Sequence, residues 1–377
     1  MPEKYVVIHT KKQLHGWYPG KRECTAERML INPYNGCEVN CFYCYARALP
    51  GYFEKFHRDG TVFISGDFDR IIEEQLDSIN IASCGYLSPV TDPFQNINSK
   101  YKLSEKIIKV FIKKNIPIEF ITKSKIPPEV IEIIKGNKHS FGQVSILTSD
   151  ENLRKIFSPS GATVNELFNN LNLLAKNNIY CVCRIDPIFP YITDNRENLI
   201  NLIKKAIDSG ARHIIASVVD IPVKLYKFFM NKIKNFFGEN MLLKYKNLYT
   251  ENIGYINAKI DYRKQIFDFL RQTCDKLNIT FALCMEYEKE NGNILGLNKI
   301  YMTSVNCEGI DIPVYIRKGD KFFPAADCKG NCLNCKKAIC GIPDLSMASK
   351  QNSRKSFKLK DYRNWSQKLA TTKTLKI

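Results

Sequence analysis

The chain has 377 residues, 44% of them hydrophobic, and its 56 Lys and Arg outnumber 38 Asp and Glu for a net charge of +18. That length supports a substantial core, while the absence of an eighteen-residue apolar run and the short apolar stretch in Met1–His9 give no reason to expect a membrane span or a secretory signal. A cytoplasmic setting is expected, where 14 cysteines stay reduced and serve metal or redox chemistry rather than disulfides. The basic excess favours polyanionic partners such as nucleic acid, the alternative being a solvated lysine-rich surface.

In chain order, residues 1–27 mix basic and aromatic side chains without a period and read as an N-terminal extension. Met29-Leu-Ile before Pro33 reads as a buried strand, and Tyr45 to Lys55 as a helix. Ile81 to Ser88 reads as one strand, followed by a helix over Ser104–Lys113 with Ser104 as its N-cap. Strands are expected at 116–122, 143–147, 179–185, 213–219 and 280–284. Helices are expected at 127–135, 165–176, 195–209 and 262–277. This alternation implies an α/β fold with a parallel sheet, a partial (β/α)6-type TIM barrel spanning 28–290. A Cys-rich lobe (291–345) and a basic tail (346–377) complete the chain. The tail carries nine Lys or Arg against Asp361. Phe357, Tyr362 and Trp365 lie among those charges, a mixture suited to stacking bases and tracking phosphates, or else a solvated end.

The densest chemical signal is Asn32-Pro-Tyr-Asn-Gly-Cys37-Glu-Val-Asn-Cys41-Phe-Tyr-Cys44-Tyr-Ala-Arg47. Three thiolates on one loop can hold three corners of a cubane iron–sulfur cluster and leave the fourth iron open. The loop follows the first strand, which places it on the catalytic face of a (β/α) barrel.

This motif resembles the radical S-adenosylmethionine (SAM) superfamily. With Thr91-Asp-Pro-Phe-Gln95, Ile121-Thr-Lys-Ser124, Val144-Ser-Ile146, Arg184-Ile-Asp-Pro-Ile188 and Ile192-Thr-Asp194, the chain resembles its spore photoproduct lyase-like branch. The resemblance implies a [4Fe-4S] cluster on Cys37, Cys41 and Cys44, with SAM bound at the open iron. It implies reductive cleavage of that cofactor to a 5′-deoxyadenosyl radical, and an electron donor such as flavodoxin or ferredoxin. Tyr43 would lie against the adenine, and Lys123 and Ser145 would contact the methionine carboxylate. Asp92 would bond the ribose hydroxyls or cap a turn beside Pro93. Arg184 would touch the cofactor or form an ion pair with Asp186. Cys84 falls where the lyase carries a hydrogen-donating cysteine, its alternative being an inert core thiol.

Cys328, Cys332, Cys335 and Cys340 form a second group, enough to close a metal site. A second [4Fe-4S] cluster and a structural zinc both accept four thiolates, and some metal is needed for so polar a segment to fold. Cys284 and Cys307 are reserve ligands. Three functions are open at this point. The first is a radical SAM enzyme acting on nucleic acid by lesion reversal or base modification. The others are a peptide- or protein-modifying radical enzyme using an auxiliary cluster, and a non-catalytic, nucleic-acid-binding or redox-sensing iron–sulfur protein.

Overall fold

The computed structural model describes residues 4–16, 28–326, 328–330, 335 and 358–365. Its centre is a sheet of seven parallel strands, Met29–Ile31, Gly85–Leu87, Ile118–Thr122, Phe141–Ser145, Tyr180–Ile188, His213–Val218 and Thr280–Leu283. They lie side by side in chain order, each parallel to the next. The order never reverses, so there is no switch point of the doubly wound kind, and the layout is that of a partial barrel. His15–Gly16 closes one edge antiparallel to Met29 and Leu30.

The strands read as continuous apolar runs because both faces are covered. Phe141, Val144, Val182, Cys183, Ile185, Ile214 and Phe281 are fully buried. Amphipathic helices pack outside. Leu103–Lys113 turns Ile107, Ile108 and Phe111 inward, and Val164–Lys176 opens with a capping box between Thr163 and Glu166.

Five expectations need correction. The helix expected over Tyr45–Lys55 is a 3-10 turn, Tyr45–Ala48, then an α-helix, Tyr52–Asp59; Pro50 and Gly51 at φ +75 interrupt it. The strand expected over Ile81–Ser88 is two. Gly85–Leu87 joins the barrel, while Ile81–Ala82 pairs with Tyr315 and Ile316 in another sheet. Ser104 lies inside its helix and donates to Pro93 O at 2.6 Å, Lys102 being the cap. The strand placed at Gln143–Leu147 runs over Phe141–Ser145. Residues 5–16 are not a loose extension, since Tyr5–Ile8 runs parallel to Val62–Ser65 in a small sheet.

The tail expectation changes too. Leu359–Asn364 is a short helix with Leu359 and Tyr362 buried, and Tyr362 O accepts from Asn80 N at 3.0 Å. Tyr362 is therefore packed in protein and not offered to a base. Phe357 lies outside the described residues.

The N-terminal end of the barrel is a sealed floor. Residues 306–309 run across it: Tyr180 Oη donates to Gly309 O at 2.9 Å, and His213 Nε2 meets Cys307 O at 3.1 Å. Beneath them Arg28, fully buried, donates through Nε to Glu119 at 2.9 Å and through Nη2 to Glu308 at 2.5 Å. Gln143 Nε2 bonds the other Glu119 oxygen at 2.8 Å. Each of these groups would be expensive to bury alone, and together they are satisfied. Burial and the neighbouring Glu308 raise the Glu119 pKa well above the carboxylate range, against the pull of Arg28.

Candidate active site at the mouth of the barrel

The opposite, C-terminal end of the strands is where this architecture exposes loops for chemistry. The cysteine loop leaves the first strand through Gly36, at φ +102. A Cβ there would meet Phe56 Cδ2 at 3.0 Å and Thr61 O at 3.1 Å, so both the conformation and the space call for glycine. Asn40 N donates to Cys37 O and Arg47 Nε to Cys41 O (3.1 and 2.9 Å). The block Thr91–Gln95 buttresses the loop, since Gln95 Oε1 accepts from Glu38 N at 2.8 Å and Gln95 Nε2 reaches Gly36 O at 3.3 Å.

The three thiols are free and mutually close enough to affect one another. Burial pushes Cys37 well up, and Asp92, Cys41 and Cys44 add to it. Burial also raises Cys44, opposed by Arg47 and Lys123. Thiols gathered this way are poor places for bare negative charge and suit a cationic metal group that draws off their protons. Among the described residues no three such groups converge on one metal ion. A cubane cluster does not ask for that, because each cysteine takes a different iron. The donor set fits the cluster.

The other expected residues fall around this loop. Tyr43 is buried, its ring edge-on to Phe189 at 5.1 Å and near Phe157 at 6.3 Å. Lys123 and Ser145 sit at the C-terminal ends of adjacent strands. The Lys123 charge acts on both Cys44 and Asp186, and its ammonium has no hydrogen-bond partner among the described residues. Asp92 is engaged by protein donors, Phe94 N at 2.9 Å, Thr122 Oγ1 at 3.0 Å and Lys123 N at 2.6 Å. It ties the loop after the second strand to the end of the third. Arg184 makes the ion pair with Asp186 and spends its remaining donors on Gln143 Oε1 and Cys284 Sγ, both at 2.9 Å. Burial works against ionising Asp186, but Arg184 and Ser217 outweigh it and hold its pKa below the usual range.

Cys84 is not part of this assembly. It precedes the second strand, its carbonyl accepts from Met29 N at 3.0 Å, and it is fully buried. Gly85 pairs with Met29 and Leu87 with Ile31, so Cys84 lies at the strand entrance while the cysteine loop leaves from the exit. The break at Ser83-Cys84 leaves it just ahead of the strand, at the end opposite the cysteine loop. Of the second cysteine group, Cys328 and Cys335 are partly exposed; Cys332 and Cys340 lie outside the described residues.

Sequence reading missed two residues at the mouth. Cys284, treated as a reserve ligand, follows the seventh strand and contacts Arg184 in a pocket with Ile215, Leu283 and Glu286. Asp220 follows the sixth strand. Burial, then Glu286 and Asp186, push its pKa up to about 7. Asp220 directly follows a predicted strand and Cys284 ends one, the one signal that would have marked them.

Comparison with known proteins agrees with this geometry. Residues 31–203 match the family model described as Radical SAM superfamily. A "Radical SAM Nalpha-GlyT isomerase" of Pseudomonas phage M6 is 24% identical over 351 residues, covering 88% of this chain and 72% of that protein. An uncharacterised protein of Methanocaldococcus jannaschii is 26% identical over 167 residues, 44% of this chain and 62% of its own. A solved spore photoproduct lyase variant with bound AdoMet and dinucleoside spore photoproduct superposes with a TM-score of 0.55 at 13% identity. The match covers 72% of this chain and 79% of that one, a likeness of fold. The cysteine loop at the mouth of a seven-stranded parallel sheet and the match over residues 31–203 together support an enzyme that carries a radical SAM domain.

Proposed function

We propose that this protein is a radical SAM enzyme that modifies a base of a nucleic acid by rearrangement. The observation carrying the cofactor assignment is the cysteine loop at the mouth with Lys123 beside Cys44 and Asp186. Cys37, Cys41 and Cys44 would hold the [4Fe-4S] cluster. When bound, cluster and SAM supply a 5′-deoxyadenosyl radical able to take hydrogen from an unactivated carbon. The chain's own part is to bind, orient and exclude water. Lys123 and Ser145 offer a cation and a hydroxyl to the methionine carboxylate. Tyr43 offers a ring to the adenine, and Arg184 and Asp186 form a fixed polar wall. Asp92 holds the two loops that carry these groups.

Rearrangement is favoured over lesion cleavage on two grounds. The relative matching 88% of the chain is named an isomerase, and Cys84 lies at the far end of its strand. The net charge of +18 supports a polyanionic substrate. The same reading extends to Cys328, Cys332, Cys335 and Cys340 as ligands of a second metal group. Iron, sulfide and zinc analysis of Cys328→Ala against the unaltered protein tests that, with loss of a full complement of one metal expected and no change counting against it. The function is tested by anaerobic reconstitution with reductant, SAM and DNA or RNA. The expected result is 5′-deoxyadenosine together with a nucleoside of unchanged mass and altered retention. A protein that binds neither DNA nor RNA at low salt would overturn the substrate assignment.

A further inference from the structure

The geometry points to a polynucleotide-docking ledge built by the helices Tyr226–Phe237 and Glu239–Leu248, which lie in the connection between the sixth and seventh strands. This inference rests on the nucleic-acid reading above and says where the strand lies. The first helix packs on the cysteine loop itself. Phe229 and Phe236 each bring their rings 5.7 Å from Phe42, between Cys41 and Cys44, and the Arg47 guanidinium lies 6.0 Å from the Phe228 ring. A chain held on this pair is therefore held at the mouth.

Its outer surface alternates cations and apolar groups. Phe236 and Tyr191 are each 44% exposed, and Leu243 is 51% exposed. Lys232 Nζ rests 5.6 Å from the Phe236 ring and Lys244 Nζ 5.4 Å from that of Tyr191. Cations braced on exposed rings are the elements that track phosphates and stack bases. The charge is also local. Residues 223–248 carry six lysines against Glu239, a net +5; the tail from Ser346 carries +8, leaving +5 over the other 319 residues of a chain at +18. Lys224, Lys227, Lys244 and Lys246 are exposed, and only Lys234 has an acidic partner among the described residues, Glu239 at 2.6 Å. Lysines without acidic partners, next to exposed rings at the catalytic mouth, match a phosphate backbone in charge and a base in shape.

The test is titration of the reconstituted holoenzyme with labelled single-stranded DNA, duplex DNA and RNA over roughly 50 to 200 mM salt. The triple variant Lys224→Gln, Lys227→Gln, Lys244→Gln is compared with a control triple on outer helices, Lys106→Gln, Lys176→Gln, Lys204→Gln. The ledge variant is expected to reduce the slope of log affinity against log salt by about 2 to 3, one released counterion per lost contact. The control is expected to stay within error. Leu243→Glu, which leaves the lysines in place, is expected to weaken binding at low salt by charge repulsion. Binding that persists in both ledge variants as in the unaltered protein would overturn the ledge and leave the nucleic-acid reading standing. No binding by the unaltered protein would overturn both. Polyglutamate competing as well as polynucleotide at equal charge would assign the surface to an acidic protein and overturn the proposal.

Discussion

The two ends of the barrel are built from similar residue types put to opposite use. At the floor, Arg28, Glu119, Glu308, Gln143 and His213 are closed off from solvent, and each finds a partner in the chain. At the mouth, three thiols crowd one loop, and Lys123 has no hydrogen-bond partner among the described residues. Asp220 stands near Glu286 and Asp186, which raise its pKa further. The floor has used its polar capacity to hold the fold. The mouth keeps capacity in reserve for a cofactor and substrate, and that difference separates a stabilising buried charge from a functional one.

The sharpest way to break this contrast is to remove one group at each end. Arg28→Ala leaves two carboxyl groups buried without their cation, and a loss of about 3 to 5 kcal/mol is expected from the denaturant midpoint. An intact midpoint would mean the floor is not the stabilising end. Lys123→Ala should act the other way, leaving the midpoint nearly unchanged while weakening SAM binding by roughly tenfold or more, the scale of one charge-assisted hydrogen bond. Calorimetric titration with SAM would show it, and unaltered affinity would remove Lys123 from the cofactor site.

A smaller effect concerns Asp220. Its folded pKa, about 7, lies above the ordinary aspartate value of 3.8. The folded state therefore holds a proton that the unfolded chain has lost. The stabilisation is fully present below pH 3.8 and is lost as pH rises through 7. Asp220→Asn should flatten the fall in stability between those limits and gain on the unaltered protein above pH 7. Parallel stability profiles for the two proteins would contradict the burial of that carboxyl.

The barrel was legible because its strands are doubly covered and so read as apolar runs, and the cysteine spacing by itself marks the mouth. The losses have local causes. Ile81 to Ser88 is apolar throughout, and periodicity cannot show that two strands of different sheets divide it, so Cys84 was placed mid-strand. Tyr362 lies among lysines and was read as exposed, but its partner is Asn80, 282 positions away in the chain. The helix pair at 226–248 precedes the expected helix at 262–277, and its contact with Phe42, far away in sequence, is what places it at the mouth.

The central claim is that chemistry belongs to the mouth and not to the floor. Its most direct test is the yield of 5′-deoxyadenosine from anaerobically reconstituted Cys41→Ala and Cys84→Ala proteins beside the unaltered one. The account predicts no product and depleted iron for Cys41→Ala, and unaltered yield and iron for Cys84→Ala, with at most the modest stability loss of a small cavity. Product from Cys41→Ala at the unaltered rate, or its loss from a folded, iron-replete Cys84→Ala protein, would contradict it.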